Sequence, residues 1–398
     1  MRWVEGGVTA AKGFQAAGAS AGIKRSRKPD LALVMSETPA TAAGALTTNR
    51  VQAAPVQISA QRLRRGAARA VLLNSGCANC LTGAAGMRDA LQLGRAAAQA
   101  LGIAEREVLL ASTGLIGRRL PVARMERVIP SLIEGLSPAH HRAAAQAILT
   151  TDRRPKEAAV EASVNGRVCR IGGMAKGAGM IAPSLATMLA VLTTDVAISP
   201  KLLRQLLAEA IRRTFNRVTV DGDMSTNDSV FALANGRSGV EIRGQAAART
   251  FAVMLFAVCA KLAALLVEDG EGASKVMEIQ VVGARTESEA QACAKQVANS
   301  PLVKTMLAGS DPNIGRIAAA VGASPAVFDP AKLQIRVGGR VVVSKGAAVR
   351  LGTAALRRLL AQPRVLTSID LHAGRAKGLM LTCDLTEAYV RINAGYAT

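Results

Sequence analysis

The chain has 398 residues and a formal net charge of +22, from 50 Lys and Arg against 28 Asp and Glu. With 50% hydrophobic and 20% charged residues it cannot be a disordered chain, and it is long enough for two domains or one large α/β unit. The basic residues come in scattered pairs such as Arg64 and Arg65 or Arg357 and Arg358, and no aromatic lies between Phe14 and Phe215. Single-strand nucleic-acid binders interleave cations with aromatic platforms, so a solvated Arg-rich surface with no nucleic-acid partner is the expectation.

In chain order, the N-terminus lacks an apolar signal core, so no secretory leader is expected. "LALVMS" (31–36) and "APVQIS" (54–59) read as strands, short apolar runs bounded by turn residues. "AVLLNSG" (70–76) is a buried strand entering a Gly turn. The run from Met87 to Gly102 has helical periodicity and a Gly stop. "EVLLASTGLIG" (107–117) is again strand then turn, and "SPAHHRAAAQAILT" is a helix with Ser137 as N-cap and Pro138 at its first position.

Lys201 to Phe215 forms an amphipathic helix, and Arg249 to Gly270 a long, largely buried one. "SEAQACAKQVANSPLVKTML" reads as a helix followed by a strand, "LQIRVGGRVVVSKG" as a hairpin about Gly338 and Gly339, and "EAYVRINA" as strand-like. Strands and helices alternate without tandem repetition, so the class is α/β or α+β with mixed sheets.

Six cysteines are sparse and mostly in apolar surroundings, which suits a reduced, intracellular chain. Cys77 and Cys80 make one CxxC, but a structural zinc site wants a second ligand pair, and no histidine is suitably spaced. The 11-residue apolar run from Thr250 to Ala260 is interrupted by Lys261, too short for a span. "KGAGMIAPSLATMLAVLTTD" (176–195) is uncharged for 18 residues, yet its Gly, Pro and Thr make poor material for a lipid-facing helix.

Polar clusters at strand ends are candidate site positions: "NSGCANC" (74–80), "STGLIG" (112–117), "TTD" (150–152), "RVTVDGDMSTND" (217–228), "EDGEGASK" (268–275), "SDPNIGR" (310–316) and "RINAGYAT" (391–398). Each alone is also an ordinary turn sequence. There is no P-loop, no GxGxxG after a strand, and no histidine placed for a Ser-His-Asp triad. A hydroxyl nucleophile activated without histidine remains, such as a threonine whose own α-amino group is the base. That requires a cut just before the threonine. "PSLATML" offers small Ala186 before Thr187 with Lys176 upstream; a buried β-branched strand residue is the competing reading, and composition alone favours it.

The clusters stop being independent when taken together. "GGMAKGAGMIAPSLATMLAVLTTD", "NRVTVDGDMSTNDS", "NSGCANCLTG", "STGLIG", "DPNIGR" and the terminal "INAGYAT" resemble the ornithine acetyltransferase (glutamate N-acetyltransferase) family of arginine biosynthesis. The likeness runs from "VTAAKGFQAAG" to the last residue. It implies a layered αββα sandwich like that of N-terminal-nucleophile hydrolases, with a second, smaller α/β domain. It also implies self-cleavage between Ala186 and Thr187, giving an alpha fragment (1–186) and a beta fragment (187–398), with Thr187 as nucleophile.

In the same resemblance Thr113 and Gly114 match the oxyanion hole, and Thr151, Lys176, Thr187, Glu271, Asn393 and Thr398 the substrate-binding residues, with Thr150 as a register alternative to Thr151. Glu271 suits the ornithine amine and Lys176 a carboxylate. A ping-pong transfer from acetylornithine to glutamate, no metal or cofactor, a cytoplasmic heterotetramer of two alpha and two beta fragments, and no membrane are implied. Acetyl-CoA stays open as a second donor, and a related self-processing aminopeptidase or amidohydrolase is the alternative. The chain departs from the family's pattern at Cys77, Ile314 and Leu46, where Asn, Trp and an aromatic are usual.

Overall fold

The computed structural model describes residues 1–182 and 188–395. Its elements are β1 (Arg2–Trp3), β2 (Phe14–Ala19), β3 (Leu31–Leu46), α1 (Ala54–Leu63), β4 (Ala67–Cys77), α2 (Gly83–Leu101), β5 (Val108–Leu115), α3 (Val122–Glu134), α4 (His141–Ala147), β6 (Lys156–Val164), β7 (Arg167–Lys176), β8 (Leu189–Thr194) and α5 (Pro200–Arg213). Next come β9 (Val218–Thr219), β10 (Ser229–Ala234), α6 (Gly244–Glu268), β11 (Val276–Ala284), α7 (Glu287–Asn299), α8 (Pro301–Gly309), α9 (Gly315–Gly322), β12 (Gln334–Val337), β13 (Arg340–Ser344), β14 (Ala347–Ala348), α10 (Thr353–Leu360), β15 (Arg364–Asp370), β16 (Ala376–Cys383) and α11 (Glu387–Ala394). The chain divides into two units, one of residues 1–216 with 223–266, the other of 217–222 with 267–398.

The first unit is built on one nine-stranded sheet in the order β1-β6-β7-β8-β10-β3-β4-β5, with β2 also paired to β3. The 16-residue β3 joins its two halves: Leu31 to Ser36 pair with β2, and Thr41 to Leu46 with β10. Strand alternation sorts the side chains. Leu31, Leu33, Leu72 and Leu110 face one core, with Leu93 of α2 and Ile129 of α3. Val34, Val71, Leu73 and Leu109 face another, shared with Met174, Val191, Phe231 and Leu233 from the other half of the sheet. On that half's outer face, Leu192 meets α6 through Leu262 beside Gly173. The order of layers is therefore helix, strand, strand, helix.

The second unit has a seven-stranded sheet, β14-β13-β12-β15-β11-β16-β9, with α7 to α10 sharing one core with Met277, Ile279, Ile335, Val365 and Met380. The α/β class with a smaller second α/β unit stands as expected. Helix signals held where they were strongest: Gly102 ends α2 in the left-handed region, and Ser199 Oγ accepts from the Leu202 amide at the start of α5.

Three segments differ from the sequence expectation. "APVQIS" opens α1 because Pro55 sits at its first turn, where a missing N–H costs nothing. "PLVKTML" is α8, started by Ser300 and Pro301, and "EAYVRINA" is α11. The apolar run from Thr250 belongs to a 25-residue helix that continues through Lys261, long and apolar enough to cross a bilayer by length and composition; half of its most apolar window is buried inside the fold.

Candidate active site

Thr113 and Gly114 lie at the end of β5, beside the irregularity where β4 and β5 fall out of register at Gly76 and Cys77. Gly114 has φ 129°, and a Cβ there would sit 2.3 Å from the Gly76 carbonyl carbon, so no other residue fits without moving β4. Strand β5 is braced from the side. Asn227 Nδ2 donates to the Ser112 carbonyl (2.8 Å) and to the Ala78 carbonyl (2.7 Å), and Ser112 Oγ donates to Asn74 Oδ1 (2.6 Å).

Lys176 ends β7 and is buried. Its Nζ donates to Thr150 Oγ1 at 2.8 Å and to Thr113 Oγ1 at 3.4 Å. Its carboxylate partner is Asp152, with Oδ2 at 3.7 Å. Asp152 also accepts from Lys156 Nζ (2.6 Å), the Gly177 amide (2.7 Å) and the Thr150 amide (3.0 Å). Burial penalises this carboxylate, but Lys176 and Lys156 outweigh it and hold it well below the usual carboxylate range. A lysine at 2% exposure thus sits beside a carboxylate and within hydrogen-bond reach of β5. Lys24 is a further neighbour: burial, with Lys176 adding repulsion against the pull of Asp30, pushes its amine down to about 8.

Of the two threonines in "TTD", Thr150 is the one on Lys176; Thr151 is half-buried beside it in sequence. Ala186, Thr187 and Thr398 lie outside the described residues. Immediately after Thr187, Met188 donates its amide N–H to Asp228 Oδ1 at 2.8 Å, and all six residues of β8 are buried.

In the second unit, Asn393 of α11 donates from Nδ2 to Glu271 Oε2 at 2.7 Å, bringing together two predicted binding residues far apart in sequence. The turn beneath is fixed by Thr386 Oγ1 donating to the Gly272 carbonyl (2.7 Å) and by Gly272 at φ 70°, where a Cβ would fall 2.5 Å from the Tyr389 amide nitrogen.

Asp152, Lys156, Asn227 and Asp228 were not singled out in the sequence, though "TTD" and "STND" flagged their loops; a buried polar residue beside a core strand carries no local pattern. The three departures from the family pattern are absorbed by packing. Ile314 sits in the second unit's core, Leu46 packs on two clusters of the first, and the buried Cys77 Sγ contacts the Arg118 carbonyl oxygen at 3.2 Å, its thiol pushed up by burial. Cys80 is likewise a free buried thiol.

The model of the ArgJ family matches residues 15–398. The chain belongs to the ArgJ family. The "Arginine biosynthesis bifunctional protein ArgJ" of Synechocystis is 47% identical over 99% of this chain and 98% of its own. The protein of the same name from Symbiobacterium thermophilum is 46% identical over the full length of both. Among solved structures, the arginine biosynthesis bifunctional protein argJ of Bacillus halodurans aligns with a TM-score of 0.50 at 37% identity, covering 52% of this chain and 98% of that chain. The buried Lys176 cluster and the Gly114 turn are therefore features of an ArgJ enzyme.

Proposed function

We infer that this chain is an acyltransferase of arginine biosynthesis that moves the acetyl group of N2-acetyl-L-ornithine to L-glutamate, giving L-ornithine and N-acetyl-L-glutamate. The observation that carries this is full-length likeness at 46–47% identity to relatives named bifunctional proteins of that pathway. The second activity is acetylation of glutamate from acetyl-CoA, a co-substrate and not a bound cofactor.

On this reading the chain cuts itself between Ala186 and Thr187. Thr187 Oγ1 attacks the Ala186 carbonyl, the peptide C–N bond breaks, the hydroxyl proton ends on the Thr187 nitrogen, and water releases the ester. Two facts support the cut. A core strand begins two residues after Thr187. A fragment starting at Thr187 would hold just over half of the 398 residues, and the Bacillus halodurans chain is matched almost whole by 52% of this one.

In turnover the freed α-amine takes the Oγ1 proton as Oγ1 attacks the acetyl carbonyl. Donors at Thr113 and Gly114 receive the oxyanion, each worth about 10²–10³ in rate, and the proton leaves on the ornithine amine. Glutamate then reverses the sequence. Lys176 pairs a substrate carboxylate, Glu271 with Asn393 receives the ornithine side-chain amine, and Thr151 and Thr398 complete the binding set. The alpha fragment (1–186) and beta fragment (187–398) stay together, as a cytoplasmic tetramer of two copies of each.

The test is denaturing mass spectrometry with a paired assay. Wild type should give two fragments, the second starting at Thr187, and should acetylate glutamate from acetylornithine and, separately, from acetyl-CoA. Thr187→Ala should stay intact and inactive. An uncleaved wild type with full transferase activity would sink the nucleophile. Hydrolysis of acetylornithine as fast as transfer would instead favour an amidohydrolase.

A further inference from the structure

Asp30 immediately precedes β3 and is fully buried. Its carboxylate accepts the Ala21 and Ile23 amides at 2.6 Å each and the Lys24 amide at 3.0 Å, so three backbone donors fix the loop between β2 and β3. That loop lays the stem of Lys24 against the Gly114 turn. A Cβ on Gly76 would meet Lys24 Cγ at 3.1 Å, and Gly76 is the residue that Gly114 pairs with. The side chain is half-buried, and its Nζ donates to the Pro29 carbonyl at 2.7 Å. Among the described residues no carboxylate lies within ion-pair distance of this ammonium. Burial lowers its pKa to about 8, against Asp30 and Asp152 and together with Lys176 and Lys28, so it is mostly protonated at neutral pH. A partly buried cation without a paired counter-charge is costly, and an anionic ligand would relieve that cost.

We propose that Lys24 determines specificity for the acceptor: its ammonium pairs the side-chain carboxylate of glutamate while Lys176 pairs the other carboxylate. This rests on the reading of the chain as an enzyme that moves acetyl from acetylornithine to glutamate. The two substrates set one site opposite tasks. Both carry an α-carboxylate, but the donor's side chain ends in an ammonium and the acceptor's in a carboxylate. In a ping-pong cycle they occupy the site in turn, so a second cation is needed only for glutamate. Lys176 already shares its charge with Asp152. Lys24 is not so paired, and the two lysines address the same strand ends: Lys176 reaches Thr113 Oγ1 on β5, and Lys24 lies on Gly76 of β4. Its amide is fixed by Asp30, while the flexible stem leaves the ammonium able to turn from the Pro29 carbonyl to a ligand.

The experiment compares wild type, Lys24→Met and Lys24→Gln in three reactions. Exchange of labelled ornithine into acetylornithine runs the donor half alone. Acetyl transfer from acetylornithine to glutamate or to glutamine tests the acceptor, since the glutamine amide keeps the shape and lacks the charge. Transfer from acetyl-CoA to glutamate changes the donor. Lys24→Met should raise KM for glutamate at least about tenfold with either donor, while ornithine exchange stays within about threefold of wild type. The preference for glutamate over glutamine, as a ratio of kcat/KM, should shrink by about tenfold or more in both variants. Lys24→Gln keeps a donor for the Pro29 carbonyl and decides the matter if the Met variant fails to fold, judged by its melting curve.

A folded variant with wild-type KM for glutamate and unchanged preference over glutamine overturns the proposal and leaves the transferase standing. So does an equal loss of exchange and transfer, which would make Lys24 a general support of the Gly114 turn. A rise in KM for acetyl-CoA alone, with glutamate unaffected, would assign Lys24 and its neighbours Arg25, Arg27 and Lys28 to the phosphates of that donor, and likewise overturns it. Wild type that transfers no acetyl to glutamate overturns the parent reading and the proposal with it.

Discussion

Each unit buries lysine, and each handles the charge differently. In the first, Lys156 and Lys176 share Asp152, which also accepts two backbone amides. In the second, Lys304 of α8 is 3% exposed, and its Nζ donates to Thr382 Oγ1 at 2.9 Å and to the Cys383 carbonyl oxygen. Among the described residues no carboxylate lies within ion-pair distance of it, and burial, only partly offset by Cys383, Asp221 and Asp384, lowers its pKa. A buried charge survives only when paired. The first arrangement sets a lysine and its carboxylate beside Thr113; the second ties α8 to the end of β16 through neutral acceptors.

Removing the shared carboxylate should do the most damage. Asp152→Asn leaves two buried ammonium groups without a counter-charge and should cost about 3–5 kcal/mol in urea unfolding, together with transferase activity. A loss under about 1 kcal/mol would mean the lysines are not held by charge.

Next in size, Lys304→Met should cost about 1–3 kcal/mol, from the acceptors left unpaired, with kcat unchanged in the glutamate assay. Should kcat collapse while the fold persists, the structural assignment of Lys304 fails.

The two regions should also respond to opposite ends of the pH scale. Asp152 has a depressed folded pKa, so its contribution is present above the free carboxylate's value and is lost as pH falls through the folded one. Lys304 is also depressed, but as a base. Between its lowered folded pKa and that of a free lysine, the unfolded chain binds more protons, and stability rises with pH there. Chemical unfolding of wild type against Lys304→Met across the alkaline range should show that rise in wild type alone.

The smallest effect is expected at the surface. Arg212 pairs with Glu209 at 2.9 Å with both side chains about half exposed, so Glu209→Ala should change stability by roughly 0–1 kcal/mol, less in high salt. A larger cost would show that exposure is a poor guide to the worth of charges in this chain.

Much of the frame was legible in the sequence because the signals were local. Gly102 closes α2, Gly338 and Gly339 turn the hairpin between β12 and β13, and Ser137 and Ser199 cap the segments they precede. The failures came where two local signals competed. In "APVQIS" the apolar run outweighed Pro55, and in "NSPLVKTML" it outweighed the Ser-Pro start at 300 and 301. A short apolar run fits a buried strand or a buried helix turn equally well, and only its neighbours choose.

The site divides the same way. Two of its motifs could be read as strings, the "STG" at the end of β5 and the Lys176 context, while the proposed Ala186–Thr187 junction lies outside the described residues. Three contacts could not be read so. Thr150 accepts from Lys176, 26 positions on; Asp228 reaches the Met188 amide across 40; Asn227 reaches the Ser112 carbonyl across 115. Residue type and spacing fix the backbone's turns and the chemistry available at each loop. Which buried charge finds which partner depends on the low dielectric and close packing that exist only once the strands have paired, and that was decided by the tertiary structure alone.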